Sequence, residues 1–79
     1  MDIEIRLFAN LAKFLPPGSV NKRARISVED GITIEALMNK LGIPINTNNI
    51  VMINGFHKDI KEKINEGDIV SIIPPVSGG

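Results

Sequence analysis

Gly31-Ile32-Thr33-Ile34-Glu35-Ala36-Leu37-Met38-Asn39-Lys40-Leu41-Gly42 is the stretch whose reading decides the fold, because it supplies the main helix of an otherwise strand-rich chain. Ile34, Leu37, Met38 and Leu41 fall at i, i+3, i+4 and i+7, so they form one apolar stripe along a helix. Thr33 is placed to cap the first turn, and Gly42 with Pro44 beyond it ends the helix. A single stripe of this width covers one face of a sheet and leaves the other face open.

The flanking sequence supplies that sheet. Ile3, Ile5 and Leu7 alternate with Asp2, Glu4, Arg6 and Phe8, the period-two pattern of a strand with one buried face. A short helical turn is expected over residues 9–15, stopped by Pro16-Pro17-Gly18. The next alternation sets Ala24, Ile26 and Val28 against Arg23, Arg25 and Ser27, which predicts a hairpin partner for the first strand. Beyond the helix, Ile50-Val51-Met52-Ile53 reads as a third strand and Asn54-Gly55 as a tight turn of the primed type. Residues 56–59 read as a short fourth strand, residues 61–65 as one helical turn, and Glu66-Gly67-Asp68 as the turn into a last strand ending at Ile73. The order ββαβββ predicts an α+β fold, a mixed sheet of four to five strands covered by one main helix.

Composition narrows the function. With 79 residues the chain has room for one domain, and without cysteine it holds neither a disulfide nor a thiolate metal site. Nine basic residues balance nine acidic ones, and tryptophan and tyrosine are absent, so a nucleic-acid surface lacks both its field and its stacking platforms. No apolar run approaches the roughly 20 residues of a membrane span, and Met1-Asp2-Ile3-Glu4 does not open a signal peptide, so the expected location is cytoplasmic.

The chain then ends Pro74-Pro75-Val76-Ser77-Gly78-Gly79. Residues 1–74 are expected to form the folded domain and residues 75–79 a flexible tail, with the two prolines holding its root away from the sheet. From Pro74 onward the six residues reach about 20 Å when extended. The terminal α-carboxylate stands on two residues without side chains, which suits it to a channel too narrow for anything else.

Arg6-Leu7-Phe8-Ala9-Asn10, the helix opening at Gly31, the Glu66-Gly67-Asp68 turn and the Pro-Pro-Val-Ser-Gly-Gly ending together resemble the MoaD and ThiS family of ubiquitin-like sulfur-carrier proteins. The paired prolines before the short spacer are most similar to the molybdopterin-synthase small-subunit branch, MoaD. Ile73 stands where that branch typically has an aromatic residue. The resemblance implies the β-grasp fold and places Val70 and Ile72 in the core. It also implies a covalent carrier, with no cofactor bound, rather than an enzyme. Gly79 would be adenylated by an ATP-using E1-like enzyme of the MoeB and ThiF type. A sulfurtransferase or other persulfide donor would then convert it to a thiocarboxylate. Delivery of that sulfur would be to a MoaE-type large synthase subunit or, in the thiamine pathway, to thiazole synthase. Gly78 would serve the threading of the tail, since neither terminal glycine has a Cβ to obstruct approach to the acyl carbon.

A partner must also grip the folded body. By alternation Phe8 shares the polar face of its strand with Arg6, and Ile73 shares a face with Ile69 that the core does not take. Phe8, Ile73 and Arg6, continued into Pro74, Pro75 and Val76, form the expected partner-binding patch at the root of the tail. The competing expectation is that Phe8 is edge packing, covered by Phe14 or by the loop around Pro16. His57 has no partner ligand recognisable nearby in sequence, Lys58, Lys61 and Lys63 alternate with acids as a solvated face, and Asp30, Glu35, Glu66 and Asp68 sit at turns or caps. Three classes of function stay open: a sulfur carrier for molybdopterin or thiazole synthesis, a ubiquitin-like modifier joined to lysines, and a non-covalent β-grasp module.

Overall fold

In the computed structural model, which describes residues 1–45 and 48–75, Ile3, Ile5 and Leu7 of strand β1 (Asp2–Leu7) are fully buried while Asp2, Glu4 and Arg6 are not. Strand β2 (Arg23–Ser27) pairs antiparallel with β1, Ile3 opposite Ile26 and Ile5 opposite Ala24. Between them runs a 3-10 helix, Ala9–Phe14, with Leu11 buried. The chain enters it through Ala9 at φ +52°, a left-handed conformation rare for a residue with a Cβ.

Helix α1 (Ile34–Leu41) starts where expected, the Thr33 hydroxyl accepting from the Ala36 N–H at 3.1 Å, and ends at Gly42 with φ +80°. Ile34, Leu37 and Met38 are its buried face. Strands β3 (Ile50–Ile53), β4 (Phe56–His57) and β5 (Ile69–Ile73) complete one five-stranded sheet in the order β2-β1-β5-β3-β4. The central pair, β1 and β5, is parallel, with Leu7 opposite Ile72. A parallel pairing of first and last strands requires a crossover between them, and α1 lies on that path. The core gathers Ile3, Ile5, Leu7, Leu37, Val70 and Ile72 with flanking apolar residues under the helix.

Two expectations are corrected. Residues 61–65 carry no helical turn, because this segment completes the helix start instead: the Ile60 and Glu62 carbonyls accept the Glu35 and Ile34 N–H groups at 2.8 and 3.0 Å. Ile64 is buried beside them and donates its N–H to the Ile32 carbonyl at 2.8 Å. β4 stops at His57 rather than Asp59, whose carboxylate turns the chain by accepting the Lys61 N–H at 2.8 Å. The primed turn is present, with Asn54 at φ +54° and Gly55 at φ +86°. The Asn54 side chain then ties this turn to the start of β5, accepting from the Ile69 N–H at 2.9 Å and donating to Asp68 at 3.0 Å.

Candidate functional site

With α1 on one side, the other side of the sheet has no covering element among the described residues, and strand register fixes what it displays. Leu7 opposite Ile72 sets Phe8 beside Ile73, and the Phe8 N–H extends the ladder by donating to the Ile72 carbonyl at 3.3 Å. Ile73 in turn lies opposite Ile50 of β3. Phe8 is 37% exposed and Ile50 40%, with Ile73 partly exposed between them. A second row crosses the sheet one step further from the tail: Arg23, Arg6, Ser71, Met52 and His57. The open face therefore carries an apolar strip beside the tail root and arginines on the β1 and β2 side.

Phe8 is on the surface, as its alternation implied, while Phe14 packs against the core. Arg6 is partly exposed and donates to the Glu4 carboxylate two residues earlier on the same strand. This hydrogen bond, with the nearby charges of Arg6, Arg23 and Arg25, holds the Glu4 carboxyl below its ordinary value, against the opposing effect of its partial burial. Pro74 is partly exposed and Pro75 exposed. Val76, Gly78 and Gly79 lie outside the described residues, so the geometry here is that of Pro74 and Pro75.

Two features escape the sequence reading. Ile50 and Met52 join the open face, although the run Ile50 to Ile53 is apolar at every position and its alternation says nothing about which pair faces out. Next to the strip, Leu11, Phe14, Pro44, Pro74 and Pro75 line an open groove of about 350 Å³, so Pro74 and Pro75 form part of an apolar wall. Prolines in the tail were the visible signal; their packing beside the 3-10 helix was not.

As chemistry, this arrangement offers an exposed apolar strip with arginines to one side and prolines at its end. Among the described residues, no group of His, Asp and Glu is placed to bind a metal ion. No helix among them is long and apolar enough to cross a membrane.

The sequence model of the ThiS family matches residues 5–79. No curated protein sequence matches the chain. Among solved structures, SAMP1 from Haloferax volcanii shares 26% identity at a TM-score of 0.76, with 100% of both chains covered. A second structure of H. volcanii small archaeal modifier protein 1 gives 24% identity and a TM-score of 0.74 over 95% of this chain and 98% of that one. A putative molybdopterin converting factor, subunit 1, from Pyrococcus furiosus has the same fold at 17% identity and a TM-score of 0.69, again over 95% and 98%.

Proposed function

The chain belongs to the ThiS family of ubiquitin-like carrier proteins, and from that premise we propose that it is a sulfur carrier acting through the carboxylate of Gly79. The observation that carries the reading is the reach of the family match, which includes the Gly-Gly end, together with a tail root set beside an exposed apolar strip. A carboxylate is a poor electrophile because its charge is delocalised and its leaving group would be oxide. Attack of the Gly79 carboxylate on the α-phosphorus of ATP, with loss of pyrophosphate, gives an acyl adenylate on an E1-like partner. A persulfide sulfur then displaces AMP, and a thiol of the donor cleaves the acyl disulfide to leave the thiocarboxylate. The missing Cβ of both glycines lets the partner close on the acyl carbon.

For the destination of the sulfur we propose molybdopterin synthesis, with this chain as the small subunit and a larger subunit supplying the catalytic groups; the Pro74-Pro75 root and the fold shared with the Pyrococcus factor support it. A second reading is favoured by a specific observation. The SAMP1 likeness spans both chains end to end at higher identity, and a modifier would use the same activated Gly79 with a lysine amine as acceptor.

Intact-mass measurement of the protein isolated from its own cell separates these outcomes. Replacement of one terminal oxygen by sulfur is expected for the carrier, and conjugates heavier by the mass of this chain less one water, joined through Gly79 to a lysine and leaving residues 64–79 on that lysine after cleavage at Lys63, are expected for the modifier. Truncation of Gly79 is expected to abolish ATP–pyrophosphate exchange with the adenylating enzyme, and normal exchange by the truncated chain overturns both covalent readings.

A further inference from the structure

The chain is neutral, but its charges are segregated. Five of the nine basic residues and none of the nine acidic ones lie between Ile5 and Val28. The topology carries most of that acid-free segment to the end of the sheet from which the tail departs. Arg23 pairs with Arg6, and Arg6 with Ser71, two residues before Ile73. The Lys22 carbonyl accepts the Leu7 N–H at 3.2 Å, which places Lys22 at the same end, and Lys13 lines the groove that Pro74 and Pro75 wall. Lys13, Lys22 and Arg23 are exposed and make no ion pair among the described residues. Asp2, Glu66 and Asp68 lie at the far end, where the Asp2 carbonyl accepts the Gly67 N–H, Glu66 accepts the Asp2 N–H and Asp68 bonds to Asn54.

Ordinary stability does not explain this separation. Unpaired like charges at one end of a small domain repel one another, and mixing the two signs would relieve that repulsion at no cost in packing. We propose that Lys13, Lys22 and Arg23 form a cationic collar beside the apolar strip of Phe8 and Ile73, complementary to a carboxylate-lined mouth on the protein that adenylates the tail. The inference rests on the proposed carrier reading and adds to it the chemistry of the partner's surface. A domain polarised in this way turns in the partner's field so that the tail root arrives first, which raises the rate of productive encounter. Phe8, Ile73 and Ile50 then supply the short-range apolar contact.

The test is ATP–pyrophosphate exchange with the adenylating enzyme of the same cell, with carrier concentration varied at about 50 and about 300 mM NaCl, a range over which the screening length falls from about 14 Å to about 6 Å. The KM for wild-type carrier is expected to rise with salt. The K22E/R23E double variant is expected to raise KM by about tenfold or more at the lower salt and to lose most of the salt dependence. A matched reversal at the far side of the domain, K61E/K63E, is expected to change KM by less than about twofold. Thermal denaturation of each variant checks that it is folded, and K22R/R23K keeps the charge and is expected to behave as wild type. If exchange occurs but KM is indifferent to salt, or both reversals raise it equally, the collar is overturned and the carrier reading stands. If wild-type carrier supports no exchange at all, the carrier reading fails and the collar with it. Loss by K22E/R23E of single-stranded RNA binding that the wild type shows at physiological salt would overturn the proposal in favour of a nucleic-acid surface.

Discussion

Both faces of one sheet carry large apolar residues at the tail-root end and use them differently. Beneath α1, Leu7 and Ile72 are buried to 0% and 1% exposure, while one residue further along each strand Phe8 and Ile73 lie on the open side. The side chains differ little in hydrophobicity; what differs is whether a helix covers them. Apolar area left uncovered costs the folded state nothing relative to the unfolded one and is held in reserve for a partner. The covered face holds the fold, and the open face is available for binding.

The comparison breaks most visibly if neighbouring residues on the two faces respond alike to a charge. L7D or I72R places an ionised group in the core, and a loss of about 4 kcal/mol or more is expected, enough to unfold a domain of this size. Thermal and urea denaturation measure it. F8D is expected to cost under about 1 kcal/mol in stability. If it lowers the melting temperature as much as L7D does, the open face is core.

Binding is expected to reverse that order. F8D and I73R should weaken association with the proposed larger synthase subunit by about 2 kcal/mol each, the scale of an interface hot spot, because each leaves a charge in a desolvated contact. I50D extends the test to the residue that register brings beside Ile73. Titration calorimetry on folded variants is the measurement. A normal affinity for all three would place the interface elsewhere.

Smaller effects sharpen the contrast by probing what holds the sheet in register. N54A removes two side-chain hydrogen bonds and puts alanine at φ +54°, so a loss of about 1–2 kcal/mol in urea unfolding is expected. A9G relieves the left-handed strain at the start of the 3-10 helix. The relief of about 1–2 kcal/mol exceeds glycine's entropic penalty of about 0.5–1 kcal/mol, so a net gain near 0.5 kcal/mol is expected. A9V should destabilise.

The smallest effect is that of pH. Glu4 titrates below its ordinary value of 4.5, chiefly through the Arg6 hydrogen bond, so the unfolded chain binds more protons than the folded one in the window below that value. Stability from this pair is therefore present above about 4.5 and lost as pH falls through the lowered value. E4Q should flatten that part of the acid limb in a pH series of melting temperatures.

Much of this was legible in the chain. Period-two alternation in Asp2 to Phe8 and the i, i+3, i+4, i+7 stripe of α1 are local patterns, and local patterns predict local structure well. Thr33, Gly42 and Asn54-Gly55 were readable because cap and turn chemistry also spans only a few residues. Residues 61–65 misled because their polar, turn-like composition fits a helical turn. Their backbone groups are instead taken by α1, an element nearly thirty residues earlier in the chain.

By itself, the sequence determined the main helix and the strands apart from the extent of β4, the side of β1 that is buried, and the membership that makes Gly79 the residue to test. Tertiary structure alone decided which strands are neighbours. The parallel pairing of β1 with β5 sets Phe8 beside Ile73. The antiparallel pairing of β3 with β5 adds Ile50, and the position of β2 at the sheet edge exposes Arg23 near the tail root. The reason is physical. Alternation records only that a side chain faces in or out, whereas a shared surface depends on which backbone groups, far apart in the chain, satisfy one another's hydrogen bonds.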